Sequence, residues 1–367
     1  DYDVIITSYD YIRRDIDEYD DARFNCIILD EAQYIKNQNT MNAKSVKELK
    51  GNHRFALTGT PIENTLAELW SIFDFLMPGY LHSYANFSAM YERPIVREND
   101  EEKSRELKKL IEPFILRRMK TEVLDELPDK IESTLSFEFN EEERKLYFAN
   151  LAQVNQTLAQ QAEMNESNSI AVLAMLTRLR QICCEPRSIY EDITETSSKM
   201  LGALDLIERL RENKQKVLLF SSFTSVLDLM AQELDKRGIT YYTLTGKTPR
   251  DVRRERVNAF QEDETEVFLI SLKAGGTGIN LTSAEAVIHF DPWWNVSAQN
   301  QATDRAYRIG QHNNVQVFKL IMKDSVEEKI IELQEKKKGL SEAFIENNEG
   351  SITTMNHSDI LSLFSQN

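Results

Sequence analysis

An apolar run, Cys26–Ile27–Ile28–Leu29, ends in two adjacent carboxylates, Asp30 and Glu31, followed by Ala32 and Gln33. Open α/β sheets hold ligands at the carboxyl ends of their strands, so these acids are predicted to sit at a crevice. Phosphoryl transfer to water needs a hard oxygen ligand for Mg2+ and a group that orients or deprotonates the water, two roles that neighbouring Asp and Glu can divide. A second run ends in Leu57–Thr58–Gly59–Thr60–Pro61, a small-residue turn whose hydroxyls can sense a phosphate. Arg305 and Arg308 stand three residues apart within Gln301–Gln311, a helical spacing that puts both guanidinium groups on one face. Arginine presents fixed bidentate geometry to phosphate oxygens and can stabilise charge on a γ-phosphate. Ser271–Leu281, with Gly275, Gly276 and Gly278, is a loop whose backbone amides can approach an anion. Taken singly, each feature has an ordinary alternative: a solvated turn, a strand-to-helix turn, a charged helix face or a glycine loop.

One apparent match is a decoy. Gly246–Lys247–Thr248 ends like a P-loop, but the glycine required five positions earlier is Tyr241, and no other glycine precedes a lysine. The chain therefore carries no complete phosphate cradle of that kind.

The elements that must position these residues come in two groups. Val4–Thr7, Cys26–Leu29 and Arg54–Thr58 read as early strands; Val217–Phe220, Tyr241–Leu244, Val267–Ile270, Ala286–Phe290 and Val315–Leu320 read as a later set. Helical patterns at Ser225–Arg237, Pro249–Phe260 and Val296–Tyr307 fill the later gaps, the βαβα rhythm of a parallel, doubly wound sheet. The intervening residues show no strong strand signal but do show helical stripes such as Leu66, Leu69, Trp70, Phe73 and Met77.

Acidic residues outnumber basic ones 60 to 44, so any attraction to a polyanion must be local, as in the basic segments Lys103–Lys120 and Lys236–Arg256. Three cysteines are too few for a disulfide framework, and the adjacent Cys183 and Cys184 suit a reducing compartment and a buried structural role. Five scattered histidines lack zinc spacing. No apolar run reaches the ~18 residues of a membrane span.

In their order, these segments resemble helicase superfamily two, specifically the Swi/Snf-type translocases of double-stranded DNA. Asp30–Gln33 resembles the Walker B motif, Leu57–Pro61 motif III, Leu219–Phe223 motif IV, Ser271–Leu281 motif V and Gln301–Gln311 motif VI. Asn64, Leu69–Trp70, Leu116–Arg117–Arg118 and Asp291–Pro292–Trp293–Trp294–Asn295 add family wording. The resemblance implies an α/β fold of two RecA-like parallel-sheet lobes, the first incomplete because its P-loop part is absent, with helical insertions between them. The implied boundaries are 1–135 for the rest of lobe one with a helical protrusion, 136–200 for protrusion and linker, 201–340 for lobe two and 341–367 for an acidic tail.

The resemblance also implies an ATP-dependent motor on duplex DNA, using ATP and Mg2+. Glu31, Arg305 and Arg308 would be catalytic, with Asp30 on Mg2+. Gln33, Gly276, Gly278 and Gln301 would serve the nucleotide; Thr58, Gly59, Ser271, Lys273, Gly275 and Thr277 would contact nucleic acid, largely its backbone. Trp293 and Trp294 are expected to pack rather than stack on bases. A strand-separating DNA or RNA helicase and a non-catalytic DNA-binding fragment are the alternatives. The expected setting is a monomer in the bacterial cytoplasm at the nucleoid, with a nuclear protein as the alternative, no membrane partner, and a DNA-bound protein as remodelling substrate.

Overall fold

Among the described residues, two strands pair with each other alone and organise the first part of the chain. The computed structural model describes residues 2–59, 65–98, 100–116, 118, 127–163, 169–275, 278–294 and 296–335. These divide into two compact units whose main bodies are Asp1–Arg117 and Arg118–Gln334.

In the first unit, β1 (Arg23–Leu29) and β2 (Lys50–Ala56) run parallel, with Leu29 opposite Ala56. Helix α1 (Tyr9–Arg14) starts where the Ser8 hydroxyl accepts from the Tyr11 amide, and α2 (Met41–Glu48), capped by Thr40, forms the crossover that parallel strands require. Ile27 and Leu29 point into a core with Ala32, Ile35, Val46 and Phe75. The expected apolar stripe lies on α3 (Leu66–Leu76); its Leu66, Leu69, Trp70 and Phe73 are buried. They meet Phe87 of α4 (Tyr84–Phe87), Tyr91, Ile95 of α5 (Arg93–Glu98) and Leu107 of α6 (Glu101–Ile111).

The opposite face of this sheet is bare. Ile28 is 61% exposed, and Phe55 and Leu57 are each 54% exposed. Val4–Thr7, read from sequence as a strand, is instead irregular exposed chain. A β-branched run becomes a strand only against a partner, and Val4–Thr7 pairs with neither β1 nor β2.

The second unit is built on a six-stranded sheet, all parallel, in the order β3-β8-β7-β4-β6-β5. Its strands are β3 (Lys130–Phe137), β4 (Val217–Ser221), β5 (Tyr241–Leu244), β6 (Val267–Ser271), β7 (Ala286–His289) and β8 (Val315–Met322). β4, β6 and β7 are buried throughout, as parallel strands covered on both faces must be. The helices ahead of β4 are α7 (Glu141–Glu163), α8 (Ser169–Cys184) and α9 (Ser198–Glu212). Alternate strand residues divide between two cores. Val217 and Leu219 meet α9 and α10 (Thr224–Arg237), whereas Leu218 and Phe220 meet Phe260 of α11 (Arg250–Glu262) and Ala302.

Strand β3 is absent from the sequence expectation, and the boundary expected at 135/136 falls inside it. It is an edge strand with mostly exposed polar residues, and its stabilisation comes from pairing with β8 far along the chain, including a 2.8 Å ion pair from Lys319 to Glu132. The acidic tail expected at 341–367 lies outside the described residues. No helix among the described residues is long and apolar enough to cross a membrane.

Candidate functional site

Strand β1 delivers Asp30 and Glu31 at its carboxyl end, as expected. The chain turns there at once: Glu31 sits in the left-handed region, φ 50° and ψ 52°, which costs a non-glycine residue about 1–2 kcal/mol. The turn is fastened to the end of β2, with Leu57 N–H donating to Leu29 O at 2.8 Å and Ala32 N–H to Leu57 O at 2.9 Å. Asp30 Oδ1 accepts from the Glu31 amide at 3.0 Å, and the Tyr9 hydroxyl donates to Asp30 O at 2.7 Å. Burial, then the charges of Asp30 and Glu31, push the Tyr9 phenol above its ordinary range.

This fastening brings motif-like segments together. Gln33 Nε2 donates to Glu31 Oε2 at 2.6 Å, while Gln33 Oε1 accepts from the Thr58 hydroxyl at 3.0 Å. A carboxamide is suited to this bridge because it carries a donor and an acceptor on one planar group. Thr58 thus reaches the acids through Gln33, and Gly59 beside it is exposed.

Asp30 is exposed, and its hard oxygens fit a Mg2+ that keeps several waters and takes its other ligands from phosphate. Among the described residues no group of three or more His, Cys, Asp or Glu is placed to cage a metal. A single carboxylate shared with a nucleotide is therefore the kind of Mg2+ site this donor set fits.

The arginine segment of the second unit differs from expectation. Helix α13 (Val296–Thr303) stops before either arginine, and residues 304–310 form turns. The physical reason lies in the backbone: Arg305 N–H turns back to Ala302 O and Arg305 O accepts from Leu281 N–H at 2.9 Å, so a neighbouring loop captures the carbonyl that the helix would have used. Arg305 and Arg308 consequently do not share a helix face. Arg305 is only 7% exposed, whereas Arg308 is exposed. Gln311 locks the end of the segment, its Nε2 donating to Thr282 O and Ala284 O and its Oε1 accepting from the His312 and Asn313 amides.

Strand β6 leads into the glycine-bearing loop through the short helix α12 (Leu272–Gly275). Ser271 and Gly275 are buried there; a Cβ on Gly275 would meet Phe220 Cε1 at 2.8 Å, so this glycine serves close packing on the core. Lys273 and Gly278 are exposed, and Gln301 of α13 is partly buried. Gly276 and Thr277 lie outside the described residues, as do Thr60, Asn64 and Asn295. Cys183 and Cys184 are buried and their thiols are pushed up by burial, which suits inert packing.

Sequence reasoning did not find Tyr9, Arg180 or Gln311. Arg180 is buried against Asp291 at 3.0 Å, with Phe223, Trp293 and Trp294 over its guanidinium. The available signal was an arginine set among Leu176, Leu179, Ile182 and Cys183 in a helical run, a position that demands a partner once those neighbours are buried.

Known proteins resemble this chain in sequence and fold. The model of the SNF2-related domain matches residues 1–188, and that of the helicase conserved C-terminal domain matches residues 198–310. The chain belongs to the SNF2 family within the Swi/Snf-type helicases. It is 40% identical over 362 residues to an uncharacterized ATP-dependent helicase of Mycoplasma genitalium, covering 98% of this chain and 34% of the relative. It is 34% identical over 358 residues to the mouse SWI/SNF-related matrix-associated actin-dependent regulator of chromatin subfamily A member 1, covering 94% and 34%. The Sulfolobus solfataricus SWI2/SNF2 ATPase core, solved in complex with double-stranded DNA, superposes with a TM-score of 0.51 at 35% identity, over 95% of this chain and 74% of that one. The chain spans about a third of the length of the curated relatives it matches.

Proposed function

We propose that the protein carrying this chain is an ATP-dependent translocase of double-stranded DNA that remodels or displaces DNA-bound protein. The observation that carries the reading is the relay from Glu31 through Gln33 to Thr58, which couples a water-activating carboxylate to a second segment at the same strand ends. Mg2+, when bound, neutralises charge on the phosphates and is held by Asp30. Glu31 orients and deprotonates the attacking water, and Gln33 holds the Glu31 carboxylate by its donated hydrogen bond. Arg305 and Arg308 supply positive charge to the transferring phosphoryl group. Gln33, Gly276, Gly278 and Gln301 complete the nucleotide-binding set. Thr58, Gly59, Lys273 and Thr277 contact the nucleic-acid backbone, with exposed Lys273 the direct phosphate ligand, whereas Ser271 and Gly275, expected to join them, are buried and support the loop from the core side.

The first lobe is incomplete in this chain on this reading; its remainder is the unit Asp1–Arg117, and the expected boundary at 135/136 is set aside because β3 belongs to the sheet of the second lobe. The bare apolar face of Ile28, Phe55 and Leu57 supports this, since parallel strands are ordinarily covered on both faces. So does the lack of any P-loop in the sequence. The protein acts as a monomer in a bacterial cytoplasm, a placement supported by similarity to a Mycoplasma helicase.

ATP turnover by the full-length protein and by this chain, each with duplex or single-stranded DNA, tests the reading. Duplex-stimulated turnover confined to the full-length protein is expected. Stimulation by single strands alone would favour a strand-separating helicase, and stimulated turnover by this chain would defeat the incomplete-lobe reading.

A further inference from the structure

Arg180 lies outside every motif-like segment, yet it is among the most completely enclosed charges in the second unit. Its side chain is 4% exposed and that of Asp291 is 0% exposed. One guanidinium nitrogen, Nη2, donates to Asp291 Oδ2 at 3.0 Å and to Pro292 O at 2.9 Å. The other Asp291 oxygen accepts from the Ser221 hydroxyl at 2.7 Å and from the Ser222 amide at 3.0 Å, tying the ends of β7 and β4 together. The flat group is faced by the Trp293 and Trp294 rings at 5.3 Å and by Phe223 at 5.1 Å.

The location gives this cluster its meaning. Asp291–Trp294 is the chain between β7 and α13, and α13 leads directly to the arginine segment. Trp293 is also tied to that helix, its amide facing Gln299 Oε1 at 3.5 Å, and its carbonyl accepts from Gln334. At the far end of α13, Thr303 meets His289 at 2.9 Å. The position of Arg305 and Arg308 thus depends on where the 291–294 path enters the helix, and Arg180 holds that path from a different element, α8.

We propose that Arg180 is a positioning residue for the arginine segment: the two hydrogen bonds from Nη2 and the stacked guanidinium plane fix the Asp291–Trp294 path and thereby the placement of Arg305 and Arg308. A buried ion pair is poor evidence for stability alone, because well-packed apolar residues commonly do as well. Orientation is what this pair supplies beyond packing. Lysine keeps the charge and a donor but lacks the flat face that Phe223, Trp293 and Trp294 cover, so Arg180→Lys separates charge from geometry. The inference rests on the reading of Arg305 and Arg308 as phosphate-directed groups.

The experiment uses the full-length protein and its Arg180→Lys variant. Three quantities are compared: turnover at saturating ATP and duplex, duplex affinity, and amide hydrogen exchange along the second unit. Turnover is expected to fall on the order of 10²-fold, the effect of displacing catalytic groups by an ångström or so. Duplex affinity should hold within about twofold, because phosphate contacts are spread over many groups. Exchange should accelerate in residues 296–311 while β4 and β6 stay as protected as in the parent. Unchanged turnover and exchange in the variant would overturn the proposal, and so would acceleration spread evenly over the unit, which is the mark of a merely structural role. Should Arg180→Lys fail to fold, Asp291→Asn is read by the same criteria, since it keeps the shape and weakens the pair. A parent without ATP turnover would defeat the proposed function, whereas local exchange would still decide whether Arg180 holds the segment.

Discussion

Gln33 donates from its side-chain amide to the Glu31 carboxylate across 2.6 Å, two residues apart on a turn where Glu31 is held at positive φ. The carbonyl of the same amide accepts from Thr58. Glutamine fills both roles in one charge-independent state, so the Glu31 orientation it sets should not titrate with Gln33 itself.

Replacing Gln33 by leucine removes both hydrogen bonds, each worth about 1 kcal/mol net. Turnover at saturating ATP should fall roughly thirtyfold if that lost energy appears in the transition state, with ATP affinity little changed. Gln33→His should retain much of the rate but acquire an inflection near pH ~6.5, because a neutral imidazole donates once and accepts once whereas its cation only donates. A pH–rate profile for Gln33→His that overlays the parent would show that the relay does not orient Glu31.

Glu31→Gln is expected to abolish hydrolysis in the full-length protein and leave ATP binding largely intact. The amide preserves shape and the backbone's left-handed turn but cannot take a proton from water. Nucleotide binding and single-turnover hydrolysis measured side by side decide it. Parallel loss of both would make Glu31 a structural residue of the turn.

The acids ending β1 and the buried runs of β4, β6 and β7 are legible in sequence because each depends on local order: an apolar run and the residues directly after it. β3 is not, since its Lys130, Glu132 and Ser133 look like surface chain until β8 arrives beside them. The Glu31–Gln33–Thr58 relay escapes for a related reason, Thr58 being 25 residues from Gln33 along the chain. The helix expected through Tyr307 fails because Leu281 takes the Arg305 carbonyl, a contact that no periodicity encodes.

His289 gives the second unit an acid-sensitive point. Burial first, and then the charge of Lys319, hold its imidazole down to about 3, although Asp291 and Glu132 act in the opposite direction. An unfolded chain takes up this proton near pH ~6.5. The folded unit refuses it until about 3, so the contribution is intact above ~6.5 and is lost as pH falls across that window, at no more than about 1.4 kcal/mol per pH unit. Melting temperature against pH should therefore flatten over this range in His289→Gln. Equal slopes for parent and variant would mean another group governs the acid limb.

The two arginines should separate in a way their spacing alone does not suggest. Arg308 is exposed, so Arg308→Ala leaves the packing of the second unit unaltered and its melting temperature near that of the parent. Its loss should appear in turnover, where an arginine acting on the transferring phosphoryl group contributes on the order of 10³–10⁵ in rate. Arg305 is 7% exposed, and its carbonyl receives the Leu281 amide. Arg305→Ala keeps the main-chain bond to Leu281 but empties the space a buried side chain fills, so melting temperature and turnover should fall together. Duplex affinity should change little for either variant, because backbone contacts are distributed. Measured at one salt concentration, a collapse of affinity with saturated turnover intact would make these residues DNA ligands. Equal melting losses for both would instead show that exposure does not distinguish their roles.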